Sequence, residues 1–88
     1  MTTGPPLTPE AALGWLRSLS VDVRDAAVLD ASGAVLAGDA TLRGAPSGRR
    51  ILAARSDRHT IVVRHGRRAL ERLLRADMEA ALAALDGT

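Results

Sequence analysis

Three short stretches of the chain carry residue types that could do chemistry. The first is Ser56-Asp57-Arg58-His59, a hydroxyl, a carboxylate and an imidazole within four positions. A nucleophilic triad needs such groups to converge on one reacting atom beside an oxyanion site. Four consecutive residues between two apolar runs read better as a turn, with Asp57 capping it. The second is the pair His59 and His65, which would face one side of a strand. Six residues at ~3.3 Å each separate them by about 20 Å, too far to share a metal ion. The third is Gly44-Ala45-Pro46-Ser47-Gly48-Arg49-Arg50. It is Gly-rich and basic like a phosphate loop, yet it lacks the Lys-Ser/Thr pair and leads into a strand rather than a helix. None of these stretches implies a catalytic residue, a cofactor or a metal.

Charge is the stronger signal. Residues 43–75 hold ten arginines against Asp57 and Glu71, a net +8. Residues 1–42 carry Arg17 and Arg24 against five acids, and the last thirteen residues add three more acids, so each flank is −3. Either the segments neutralise each other in the fold or across a dimer, or a basic face awaits an anionic partner. Arg49, Arg50, Arg64, Arg67 and Arg68 are the candidate interaction residues of that segment. The segment has no aromatic residue to stack on single-stranded bases and no helix-turn-helix spacing. Phosphate-backbone binding to nucleic acid or another polyanion is therefore the alternative and not the first reading. Asp77 joins the candidate surface because it falls seven residues after Leu70, inside an apolar helical arc. It reads either as a surface acid that pairs an arginine at the arc's margin or as an interfacial acid that selects one.

Composition bounds the elements that must position these groups. With 88 residues, a single domain is expected, burying only about 60–65% of its unfolded surface. There is no cysteine, so disulfides and thiolate metal sites are excluded, and self-association is the remaining inexpensive staple. Trp15 is the one aromatic residue, which leaves a core of Leu, Val, Ile and Ala. All basic residues are arginine, and with the Ala and Gly excess this is the mark of GC-rich coding. No apolar run approaches the ~18 residues that span a membrane, and the first ten residues lack the pattern of a signal peptide. No membrane role and a cytoplasmic location are the default expectations.

Residues 1–7 read as a flexible tail and 8–87 as one domain. Thr8-Pro9-Glu10 opens a helix with a capping hydroxyl, a proline at the first position and an acid in the first turn. Ala12, Leu13, Leu16 and Leu19 form its expected buried face. Residues 25–30 and 34–38 read as a hairpin around Asp30-Ala31-Ser32-Gly33. Residues 39–48 read as a loop without helical pattern. Ile51 to His65 reads as a second hairpin, with His59, Ile61, Val63 and His65 on one strand face and Thr60, Val62 and Arg64 on the other. A second helix is predicted from about Arg67 to Asp86. Leu70, Leu74, Met78, Ala81, Leu82 and Leu85 fill one arc, and Ala69, Leu73, Ala76, Ala80 and Ala83 an adjacent one. The fold class is thus α+β: a four-stranded antiparallel sheet of two hairpins flanked by N- and C-terminal helices. Both sheet faces carry apolar residues and two helices cover one face. One face is therefore expected to stay bare, with the second hairpin completed by a second chain.

The stretch ALGWLRSLSVDVRDAAVLDASGAVLAGD, residues 12–39, resembles the Roadblock/LC7 family. There a leading helix enters a strand ending VLD, then a turn with Gly, then VLA. In that family a middle helix follows the first hairpin and the sheet has five strands. Here the loop 39–48 stands in place of the helix, and one strand fewer is expected. The resemblance implies a non-enzymatic homodimer that scaffolds or regulates a small GTPase or another signalling partner. It brings no catalytic residues.

Overall fold

The computed structural model describes residues 7–44 and 48–87. The chain runs through α1 (Pro9–Leu19), β1 (Val23–Asp30), β2 (Val35–Gly38), a 3-10 turn (Ala40–Leu42), β3 (Ile51–Arg55), β4 (His59–His65) and α2 (Glu71–Leu85). The strands form one antiparallel sheet in the order β2-β1-β4-β3. This is the expected α+β arrangement of two hairpins between two helices. The hairpins lie side by side, and β1 pairs with β4 from Val23–His65 to Asp30–His59. Among the described residues no helix is long and apolar enough to cross a membrane.

Local chemistry explains each start and stop. The Thr8 hydroxyl accepts from the Ala11 N–H at 3.1 Å, and Pro9 fills the first helical turn of α1, where its missing N–H costs nothing. The expected tail 1–7 lies outside the described residues except for Leu7. Leu7 donates to the Ala84 carbonyl at 3.2 Å and packs on the core, so it belongs to the domain. The first hairpin turns where expected. Asp30 Oδ1 accepts from the Ser32 and Ala34 N–H groups, each at 2.9 Å, and Gly33 takes φ 92°. In β2, Val28 opposes Ala37 while Leu29 opposes Val35, so Leu36 is the extra residue of a bulge.

The main core lies between the helices and one sheet face. Ala12, Leu13 and Leu16 of α1 and Leu74, Met78, Ala81, Leu82 and Leu85 of α2 close over Ala26, Val28, Leu52, Ala54, Ile61 and Val63. The opposite face holds a second cluster of Ala27, Leu29, Val62 and Leu42, with Val35 and Ile51 beside it. The expectation of a bare sheet face is therefore overturned. The loop after β2 folds a 3-10 turn, capped by Asp39, which accepts from the Thr41 N–H at 2.9 Å. That turn sets Leu42 on the second face. The second hairpin pairs through β4 with β1 of its own chain, and β3 forms the edge of the sheet.

Helix α2 begins at Glu71, four residues later than expected. Leu70 is its N-cap with extended angles, φ −94° and ψ 105°, and no side-chain cap. The Asp22 carbonyl accepts from the Gly66 N–H at 2.9 Å and its Oδ2 from the Arg68 N–H at 3.0 Å. Both bonds fix the connector between β4 and α2, and the extended backbone of Leu70 sets the start of the helix after it.

Candidate interaction surface

Four of the five exposed large apolar side chains in the described residues gather at one end of the helix layer. They are Leu19 (52% exposed) and Val21 (63%) after α1, and Leu70 (66%) and Leu73 (56%) at the start of α2. They border a shallow depression of about 140 Å³ that Ser20, Leu74, Asp77 and Arg68 also line. The late start of α2 creates this end. Leu70 belongs to the expected buried arc by spacing, but it precedes the helix and so leaves that arc. Leu19 likewise falls on the expected buried face of α1, and the helix terminates under it. Sequence periodicity misses both because it carries a helical phase past the point where the helix stops. Val21 has no sequence signal at all.

Asp77 lies on the wall of the depression. Its Oδ2 accepts from the Ser20 hydroxyl at 2.9 Å, which ties α2 to the residue that ends α1. The partner is thus a serine of the same chain and not an arginine at the arc's margin. Further along the same helix, Leu73, Ala76, Ala80 and Ala83 are exposed, as are Arg72 and Glu79.

The candidate arginines separate into two groups. Arg64, on the second sheet face, bonds through Nε to Asp25 Oδ2 at 2.8 Å and through its guanidinium end to the same oxygen, so Asp25 holds it firmly charged. β1 beside β4 brings this acid to it. Arg49 and Arg50 precede β3, where the Arg50 carbonyl accepts from the His65 N–H at 2.9 Å. That register sets them at the end of the sheet from which Arg67 and Arg68 leave. The fold brings Arg68 and Asp77 together at the depression and keeps Arg64 away from it. Asp22 draws on the same end. Its Oδ1 accepts from Arg24 Nε at 2.8 Å, and the Arg68 N–H and Arg24 together hold its carboxyl below the usual range. Part of the basic segment is therefore neutralised inside the chain.

The two histidines stand on the helix side of β4. His59 Nδ1 lies 2.6 Å from Asp86 Oδ1 at the end of α2. Burial pushes the Asp86 carboxyl up. Hydrogen bonds from Ser56 and His59, with the charges of His59 and Arg58 nearby, outweigh it and leave the group below its ordinary value. This pair has the contact that orients an imidazole in a triad, but Ser56 does not complete one. Its hydroxyl oxygen accepts from the Arg58 and His59 N–H groups at 3.3 and 3.1 Å. Ser56, and not Asp57 as expected, caps this turn. His65 is buried on the helix side of the sheet. It is 4% exposed, with Nδ1 3.0 Å from the Gly66 carbonyl and Nε2 2.9 Å from Glu71 Oε2. Its sharing a strand face with Ile61 and Val63 is the signal that could have placed it in the core. Among the described residues no group of three metal-ligating side chains forms.

A scan of protein-family models finds no match, and neither the curated proteins nor the solved structures contain one.

Proposed function

We propose that this chain is a non-enzymatic homodimeric interaction module that acts in the cytoplasm as a scaffold or regulator of a signalling partner. The observation that carries the reading is the gathering of Leu19, Val21, Leu70 and Leu73 around one depression on an otherwise polar helix end. A contiguous apolar patch rimmed by charged groups is the usual mark of a protein-binding surface. A small domain with no disulfide also gains stability from self-association. The class of partner, a small GTPase, rests on the resemblance of residues 12–39 to Roadblock/LC7 domains.

Sedimentation equilibrium tests the dimer. The wild-type chain is expected to self-associate. Leu73→Asp, which removes an exposed apolar contact from both copies, is expected to weaken association at least about tenfold while far-UV circular dichroism stays unchanged. A wild-type chain that is monomeric across the micromolar range rejects the proposal.

The alternative, an arginine-rich binder of nucleic acid or another polyanion, draws on Arg49, Arg50 and Arg67, which are exposed at one end of the sheet. A salt-dependent mobility shift with generic duplex DNA or RNA would favour it over the first reading.

A further inference from the structure

Helix α2 exposes more apolar surface than the depression alone. Leu74, Met78, Ala81, Leu82 and Leu85 point to the core. Leu73, Ala76, Ala80 and Ala83 remain outside, at the alternating three- and four-residue spacing of a helix–helix seam. At 100° per residue, Arg72 and Glu79 lie within about 20° of each other and flank the same edge of that seam. Both are exposed, and neither makes an ion pair within the described residues.

We infer that the partner on this face is a second copy of the chain, with the two α2 helices packed antiparallel about a two-fold axis near Arg75 and Ala76. The inference rests on the dimer proposed above and specifies its geometry. In an antiparallel pair each flank faces the same flank of the other helix. Arg72 and Glu79 are seven residues apart and carry opposite charges. A two-fold midway between them brings Arg72 of each copy to Glu79 of the other, twice. Leu73 of each then lies against Ala76 of the other, where a small side chain admits close approach. Other arrangements lose this complementarity. Moving the axis to Glu79 sets the two Glu79 side chains against each other. A parallel pairing sets Glu79 beside Ala84 and leaves it without a cation. Edge-to-edge pairing through β3 is obstructed, because Arg75 Nη1 already donates to the Ala53 carbonyl at 3.2 Å.

Charge reversal with mixing tests the geometry on the full chain by sedimentation equilibrium. Arg72→Glu alone and Glu79→Arg alone each juxtapose like charges twice, and each is expected to raise the dimer dissociation constant roughly tenfold. The double variant Arg72→Glu/Glu79→Arg is expected to return within about threefold of wild type. An equimolar mixture of the two single variants is expected to form a heterodimer of wild-type affinity. A wild-type dimer indifferent to both reversals, or weakened singles that mixing fails to restore, overturns this geometry while the dimer stands. A wild-type chain that stays monomeric overturns the dimer and the geometry together.

Discussion

Asp22 shows how one residue ties down the entry to an element. It sits at φ 63°, a conformation that non-glycine residues adopt at a cost, and three contacts hold it there. Its carbonyl and carboxylate take the N–H groups of Gly66 and Arg68, which fixes the connector that leads into α2 at Glu71. Gly66 is required by closeness, since a Cβ there would run into the Asp22 carboxylate. Gly66→Ala is therefore expected to destabilise the fold by about 1–3 kcal/mol, the range of overpacking in a tight site. Asp22→Gly removes the obstructing carboxylate and suits the left-handed angle. In that background the same Gly66→Ala change is expected to cost under about half as much. Urea unfolding of the four proteins gives the coupling, and strict additivity would disprove the contact. Nothing in the local sequence around Asp22 signals this role, because Gly66 and Arg68 lie more than forty positions away.

At the scale of elements, the connection between β2 and β3 changes the account of the molecule most. It reads as a plain loop, because Asp39 to Gly48 has no helical period. The structure gives it a buried anchor, Leu42, at 2% exposure, in a cluster with Ala27, Leu29 and Val62. Three residues of 3-10 turn are too short to leave a periodic trace, yet one leucine suffices to close a narrow sheet face. Leu42→Ala is expected to cost about 2–4 kcal/mol in chemical unfolding, as a core leucine does. It is also expected to leave the dimer dissociation constant unchanged where the chain remains folded, because the seam lies on the other side of the sheet. A weakened dimer in folded Leu42→Ala protein would place the interface on the second face instead. By contrast, the two hairpins were legible. Val28 and Leu29, and Ile51 and Leu52, divide between the two clusters as strand alternation requires.

Across the whole molecule, acids from the flanks and basic groups of the middle meet. Asp25 holds Arg64, and Asp86 meets His59. Four carboxyls lie below their ordinary value of 3.8. Asp22 is held there by the Arg68 N–H and Arg24, Asp30 by Ser32 and the Ala34 N–H, and Asp39 by both groups of Thr41. In Asp86 burial opposes the shift, and Ser56 and His59 outweigh it. A carboxyl with a depressed folded pKa contributes stability above its unfolded value and loses it as pH falls through the folded one. The urea midpoint is therefore expected to fall between about pH 5 and about pH 3, and an unchanged midpoint would contradict these contacts.

The sequence by itself determined the elements and their type. Hairpin turns, strand alternation and the Thr8-Pro9 helix start are local rules, and each is settled within a few residues. It also determined that α2 is apolar over more than one face, since that follows from helical phase alone. What only the tertiary structure decided is where the phase is interrupted and which apolar groups end outside. Asp22 reaches across and ties down the β4–α2 connector, and the extended backbone of Leu70 starts the helix late. Leu70, ahead of α2, and Leu19, at the last residue of α1, pass from the expected core to the surface, while Leu42 passes from a loop into the core. These outcomes depend on contacts between distant positions, and no window of neighbouring residues contains them.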